Sequence, residues 1–287
     1  ALGGSARQVR HLLQEQIQMK KIGILGVGKM GGILLNAFLK QGLATPENIR
    51  GTVLYEELAE DLSAEYGIPI GTDNRSVADW ADIVLFCVKP KTVSQLVDEI
   101  SPVVDPSKMI ISVAAGVKTT EFEKGLPDGI PVVRAMPNTP CSVNCGMTAL
   151  CKGSSATEQH MKKAVEMFNL VGKTVVLEES LFDAVTGLSA SGPAYIYIIL
   201  ESLAEAGVKV GLPRDVSTLL AAQTAHGASK VVLETGSHPA LLKDAVTTPS
   251  GCTIDGILEL EEGKLRVTLI KAVVKAVERA SELVNGD

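Results

Sequence analysis

From Lys20 to about residue 177, short β-branched apolar runs alternate with amphipathic segments of helical period. KKIGIL (20–25), IRGTVL (49–54), IVLFCV (83–88), MIISVA (109–114) and PVVRAM (131–136) read as buried strands, and MTALC (147–151) and TVVL (174–177) extend the same sheet. Helices are expected between them, at about 29–41, 56–66 and 156–170. A sheet with one wet face would alternate polar and apolar residues, whereas these runs are apolar throughout. They specify a parallel sheet covered on both faces, the Rossmann-like doubly wound α/β arrangement. That domain is expected over 19–180. Past about Ser180 strand signals stop, and 181–287 is expected to form a separate all-α domain. Residues 1–18 differ in character from MKKIGIL, which opens at Met19 like a native start; they are read as an appended leader or disordered extension.

The first strand runs directly into Gly26-Val27-Gly28-Lys29-Met30-Gly31, with Gly32 behind it. A lone GxGxxG is weak, but here it follows a strand and opens a helix, the context that gives it meaning. Gly26 permits a tight turn, Gly28 lets a pyrophosphate approach the backbone, and Gly31 lets helix and strand pack closely. The helix N-terminus then offers free N–H groups and the positive end of its dipole. An NAD-preferring site usually carries an acid at the end of the second strand. That place holds Thr52-Val53, while Glu56 and Glu57 suit a helix start better. NADP(H) is therefore the expected cofactor, with NAD(H) also admitted; Arg50, Lys29 or the Asp73-Asn74-Arg75 turn would meet the 2′-phosphate. Each later strand ends in a distinctive loop: Val88-Lys89-Pro90, Ala114-Ala115-Gly116 and Met136-Pro137-Asn138-Thr139-Pro140. Since ligands of open α/β sheets collect at the carboxyl ends of strands, these loops are candidates for the nicotinamide pocket.

Charge and cysteine usage exclude other classes. With 33 acids against 27 bases and a net charge of −6, and no dense basic run, neither nucleic acid nor an anionic membrane surface is an expected partner. No apolar run reaches the ~18–20 residues of a membrane span. Five cysteines without a signal-peptide pattern point to a reducing cytoplasm. Cys141, Cys145 and Cys151 lack CxxC spacing, so no metal site is expected.

In the second half, AYIYIILESLAEAGV (194–208) is apolar on nearly every face and is expected to be buried all round. Tyr195 and Tyr197 are read as buried helix residues, and His226 and His238 as structural or solvated. Ala221, Ala222, Ala225, Gly227, Ala228 and Ser229 are small enough for very close helix contact. Ile270, Val273, Val274, Val277 and Val284 form a stripe on the last helix. About one hundred residues cannot hide that much apolar surface alone, which predicts a homodimer or a ring of dimers. Between these helices lies VTTPSGCTIDG (246–256), where Thr247, Thr248 and Ser250 precede Gly251 and a helix resumes at Thr253. Backbone amides at that helix mouth suit a carboxylate, since no arginine is near; a plain capped helix start is the competing account.

The chain resembles pyrroline-5-carboxylate reductase in GVGKMG, VKP, SVAAGV, RAMPNTP, TGLSASGPAY, HPALLKDAV and TPSGCTIDGI, in that order from Lys20 to Leu283. It departs at SASGPAY and TPSGCT, where the family often has SGSGPAY and SPGGTT. The resemblance implies reduction of Δ1-pyrroline-5-carboxylate to L-proline by NAD(P)H, an oxidoreductase step acting on a CH–NH bond and the last of proline biosynthesis. It implies that Gly26 to Gly31 hold the pyrophosphate, with Thr52, Val53 and Asn74 around the adenosine ribose. Lys89, Pro90, Ala114, Ala115 and Asn138 would flank the nicotinamide. The substrate carboxylate would rest on the amides of Gly251, Cys252 and Thr253, with Thr248 and Ser250 beside it and the Thr253 hydroxyl against the ring nitrogen as the catalytic group. A related cyclic imino acid reductase and a β-hydroxyacid dehydrogenase are the alternatives. The latter generally uses a lysine on the first helix of its second domain, and SASGPAYIYIILESLAEAG (189–207) has none.

Overall fold

The computed structural model describes residues 20–285, so the stretch 1–18 read as a leader lies outside the described residues. The chain divides into two compact units, one reaching to Ala190 and including the C-terminal stretch from Val277, the other running from Ser191 to Ala276.

The first unit is built on eight strands: β1 (Ile22–Leu25), β2 (Ile49–Thr52), β3 (Ile70–Gly71), β4 (Ile83–Phe86), β5 (Met109–Ser112), β6 (Val132–Met136), β7 (Gly146–Lys152) and β8 (Gly172–Val176). They lie in the order β3-β2-β1-β4-β5-β6-β7-β8. The first six are parallel, with Ile22 in register with both Ile49 and Ile83. Then β7 pairs antiparallel with β6, and β8 runs parallel to β7. This reversal departs from the all-parallel expectation, and the connection explains it. Residues 137–145 are fewer than the ~12 a parallel crossover needs. A short 3₁₀ turn, Thr139–Val143, ends with Asn144 in the left-handed region at φ 58°, and the chain folds straight back. The two-residue β3 was not foreseen, because a strand so short has no readable period.

Helices cover both faces. Along β4, Ile83 and Leu85 join a core with α1 (Lys29–Lys40), α2 (Glu56–Tyr66) and α6 (Glu158–Asn169). The alternate residues Val84 and Phe86 join α3 (Asn74–Trp80), α4 (Val93–Ile100) and α5 (Thr119–Gly125) on the other face. Phe86 meets Phe122 edge-on with ring centres 5.0 Å apart, and Phe38 meets Phe168 likewise at 6.5 Å. Such pairs add to area burial and fix the helices' rotation. A buried ion pair ties in the end of the unit. Arg134 of β6, 2% exposed, donates from Nη1 to Glu179 Oε1 at 3.2 Å and lies 4.7 Å over the Phe182 ring. Glu179 also accepts from the Thr119 amide and hydroxyl. Removing one partner of such a pair is costly, because the other stays buried and uncompensated. The short α7 (Phe182–Val185) continues into a π-helical turn, Thr186–Ala190.

The second unit contains α8 (Gly192–Lys209), α9 (Arg214–Thr235), α10 (Pro239–Ala245), α11 (Cys252–Glu262) and most of α12 (Leu265–Asn285). Pro193 stands in the first turn of α8, where its missing N–H costs nothing. Gly207 of α8 lies tightly against α9: a Cβ there would come 2.6 Å from Ser217 Oγ. His238 caps α10, its Nδ1 accepting from the Ala240 amide at 3.2 Å. One expectation needs correcting within this chain. Helix α8 is not buried all round; Ala204 is buried, but Ile198 is 63% exposed and Tyr197 61%. Of the small residues in α9, Ala221 is buried while Ala222, Ala228 and Ser229 are exposed. On α12 Ile270 and Val274 are exposed and Val273 and Val277 half-buried, while the Val284 side chain lies outside the described residues. The apolar content of these helices exceeds what the chain's own elements cover. Among the described residues, no helix is long and apolar enough to cross a membrane.

Candidate functional site

The turn after β1 is held by backbone. Gly26 N–H donates to the Thr52 carbonyl at 3.1 Å and to its hydroxyl oxygen at 3.3 Å, and Val27 N–H donates to the same carbonyl at 2.7 Å. Gly26 stands at φ +96°, a region that suits glycine. Gly28 N–H turns back to the Gly26 carbonyl at 2.8 Å, and Gly28 then opens α1 as its N-cap, with no side chain capping the helix. A Cβ at Gly28 would meet nothing within 4 Å, so the space above the first amides of α1 is open. A Cβ at Gly31 would come 2.2 Å from the Gly26 carbonyl oxygen, so the helix lies directly on the turn. Open backbone over an uncapped helix start fits a pyrophosphate, whose oxygens accept hydrogen bonds from these amides.

A cleft of about 450 Å³ begins there. Gly26, Val27 and Gly28 form its floor, Thr52, Val53 and Asn74 one wall, and Val88 and Lys89 another. These residues come from the ends of β1, β2 and β4 and from the start of α3, as the rule for open sheets requires. Lys29, Met30 and Gly31 stand outside the lining: Lys29 is exposed and Met30 packs on the core. Pro90 opens a 3₁₀ turn (Pro90–Thr92). Ala114 is buried, Ala115 half-buried, and Gly116 takes φ +77°. Asn138 is engaged at both ends of its amide, donating to the Ser189 carbonyl at 3.2 Å and accepting from Met147 N–H at 2.8 Å. None of these last five lines the cleft.

Sequence reading missed several members of this cleft. Leu54, Leu58 and Thr72 line it near β2, and Gln95, Leu96 and Glu99 enter from α4. The only signal was the helical spacing of Gln95 and Glu99, which puts them on one face. Arg50, one of the residues expected near a 2′-phosphate, does not line the cleft, and its guanidinium lies 4.2 Å over the Trp80 ring. Cys87 also lines the cleft, and burial pushes its thiol up to about 12.

In the second unit, Thr248, Pro249 and Ser250 are exposed and lead into α11, an 11-residue helix with Gly251 as N-cap and no side-chain cap. Gly251 N–H donates to the Thr248 carbonyl at 3.1 Å, closing a turn. A Cβ on Gly251 would come 2.5 Å from Thr248 Oγ1. Ser250 takes φ +58°, left-handed backbone that glycine adopts without strain. Cys252 and Thr253, in the first turn, are exposed. The amides at this helix mouth can receive an anion, and the Thr253 hydroxyl stands at the same end.

Among the described residues, no cluster of three or more His, Cys, Asp or Glu is placed to hold a metal ion. None of the five cysteines is in a disulfide.

Comparison with known proteins places both units. Residues 179–283 match the family described as pyrroline-5-carboxylate reductase dimerisation, and residues 21–116 match NADP oxidoreductase, coenzyme F420-dependent. The chain is 43% identical over 267 residues to pyrroline-5-carboxylate reductase of Methanosarcina acetivorans, covering 93% of this chain and 99% of that one. It is 34% identical to the Escherichia coli protein of the same name, covering 92% and 98%. The crystal structure of Plasmodium falciparum pyrroline carboxylate reductase with NADP bound superposes with a TM-score of 0.85 at 29% identity, covering 93% of this chain and 99% of that one. An uncapped glycine turn, a second exposed helix mouth and identity along nearly the whole length converge, and the chain belongs to the pyrroline-5-carboxylate reductase family.

Proposed function

We propose that the protein reduces Δ1-pyrroline-5-carboxylate to L-proline, the last step of proline biosynthesis, with NADPH or NADH as hydride donor. The observation that carries this reading is the mouth of α11, where exposed amides and a threonine hydroxyl stand together at an uncapped helix start. A cyclic imino acid presents a carboxylate and a ring nitrogen, and these two features match it.

The amides of Cys252 and Thr253 bind the carboxylate; the Gly251 N–H, given to the Thr248 carbonyl in this structure, joins them only if that turn opens, and Thr248 and Ser250 shape the turn before them. The Thr253 hydroxyl bonds the ring nitrogen and steadies its proton, acting as the catalytic group. A protonated C=N carbon is already electrophilic, so no stronger acid is required, and the main task is alignment. Bound nicotinamide supplies the hydride, and the nitrogen keeps its proton to give the secondary amine. Gly26 to Gly31 hold the pyrophosphate on the open α1 start, while Thr52, Val53 and Asn74 meet the adenosine ribose. Val88 and Lys89 border the nicotinamide at the cleft, and Pro90, Ala114, Ala115, Gly116 and Asn138, outside its lining, are assigned to the same ring by the family resemblance. An alcohol dehydrogenation is disfavoured, because the first lysine in α8 is Lys209, its last residue.

The working form is a homodimer or a ring of dimers, supported by the apolar residues exposed on α8, α9 and α12. A cytoplasmic location is supported by the unpaired cysteines. Nicotinamide consumption with pyrroline-5-carboxylate, with a β-hydroxyacid and with neither tests the assignment: turnover is expected with the imino acid alone. Thr253→Ala is expected to reduce that turnover by about 10²-fold. Wild-type turnover in the variant removes Thr253 from the chemistry.

A further inference from the structure

The end of β2 carries no carboxylate, yet the folded chain brings one to the same place from another element. Glu99, in the last turn of α4, lines the cleft together with Thr52 and Asn74. Its Oε2 accepts from Asn74 Nδ2 at 3.1 Å, and Asn74 Oδ1 accepts from the Thr52 hydroxyl at 2.7 Å. The Thr52 oxygen in turn accepts from Gly26 N–H. A carboxylate offers only acceptors, so it sets the polarity of this relay. Asn74 must present its NH₂ to Glu99 and its carbonyl to Thr52, which leaves the second N–H of that amide for a ligand.

At the β2 end of the cleft the charges are acidic. Lys89 and Glu99 are the charged residues lining the cleft, and Lys89 belongs to the far wall after β4. At the β2 end, Thr72 also lines the cleft and donates its hydroxyl to Glu56. The cations that could meet a 2′-phosphate do not line the cleft. Arg50 lies over Trp80, and Lys29 and Arg75 are exposed outside the lining.

We propose that Glu99 is the cofactor-discriminating residue of this site: it orients Asn74 toward the ribose diol, and its charge opposes a 2′-phosphate at the same position. The inference rests on the cleft being the dinucleotide site. It makes the acid read by position in the common NAD-binding pattern a matter of space instead of sequence place.

Adenosine fragments test it without turnover. Titration calorimetry of 5′-AMP and of adenosine 2′,5′-bisphosphate is run on the wild type, on Glu99→Gln and on Glu99→Ala, at two ionic strengths. Glutamine keeps an acceptor for Asn74 but loses the charge. In Glu99→Gln, affinity for the bisphosphate relative to AMP is expected to rise about five- to tenfold at low salt, and less at high salt. In Glu99→Ala, AMP itself is expected to bind more weakly, because Asn74 is no longer held. An unchanged ratio in a folded Glu99→Gln that still binds AMP overturns the inference and leaves the dinucleotide site standing. A folded wild type that binds neither fragment nor NADH overturns the site itself.

Discussion

Two regions of this chain spend similar sequences on opposite ends. The strands β1, β4 and β5 and the helices around them bury their large apolar side chains completely; Ile22, Ile24, Phe86 and Ile111 have no exposed surface. Helix α8 is nearly as apolar to read and α9 carries a share of large apolar side chains, yet Leu219 of α9 is 68% exposed and Ile198 of α8 63%. In the first unit, hydrophobicity is consumed within the chain, by a sheet with cover on both faces. In the second it is left over within the chain, in the stretch whose residues 179–283 match the dimerisation family.

The contrast can be broken most decisively at its core. Phe86→Ala removes a ring fully enclosed between α4, α5 and the sheet, and is expected to cost about 3–5 kcal/mol in equilibrium unfolding. A cost near that of an ordinary surface change would show that the first unit is not closed as described. Leu219→Ser probes the other side. Self-association in sedimentation is expected to weaken about tenfold or more, since ~1.5–3 kcal/mol of apolar burial across an interface is forfeited. Unchanged association would mean that this part of α9 faces no partner. The smallest effect concerns the loop before α11. Ser250→Gly relieves left-handed backbone and is expected to raise stability by about 1 kcal/mol or less, read as a higher melting temperature. A lower melting temperature would mean that the serine side chain holds the turn.

Much of the first unit could be read in advance, because its strands are apolar on both faces and bounded by turns. The glycine turn was legible for the same reason: Gly26, Gly28 and Gly31 act through backbone geometry, which spacing encodes directly. Helix α2 was predicted over 56–66 and forms there, with Gly67 in the left-handed region as its C-cap. What escaped is what tertiary contact alone decides. Glu99 joins Asn74 only because α3 and α4 pack on one face of the sheet. The reversal into β7 depended on the length of a connection, and so on knowing where two strands end. The all-round burial expected of α8 failed differently. Its composition was read correctly, but periodicity does not say whether the chain itself or another molecule supplies the cover.

The thiol of Cys87 carries a consequence for the life of the enzyme. Peroxides and alkylating agents attack sulfur as its anion, and a group titrating at about 12 presents almost none of it near neutrality. A sulfur lining the nucleotide cleft is thus held as the thiol, the form that oxidants attack slowest.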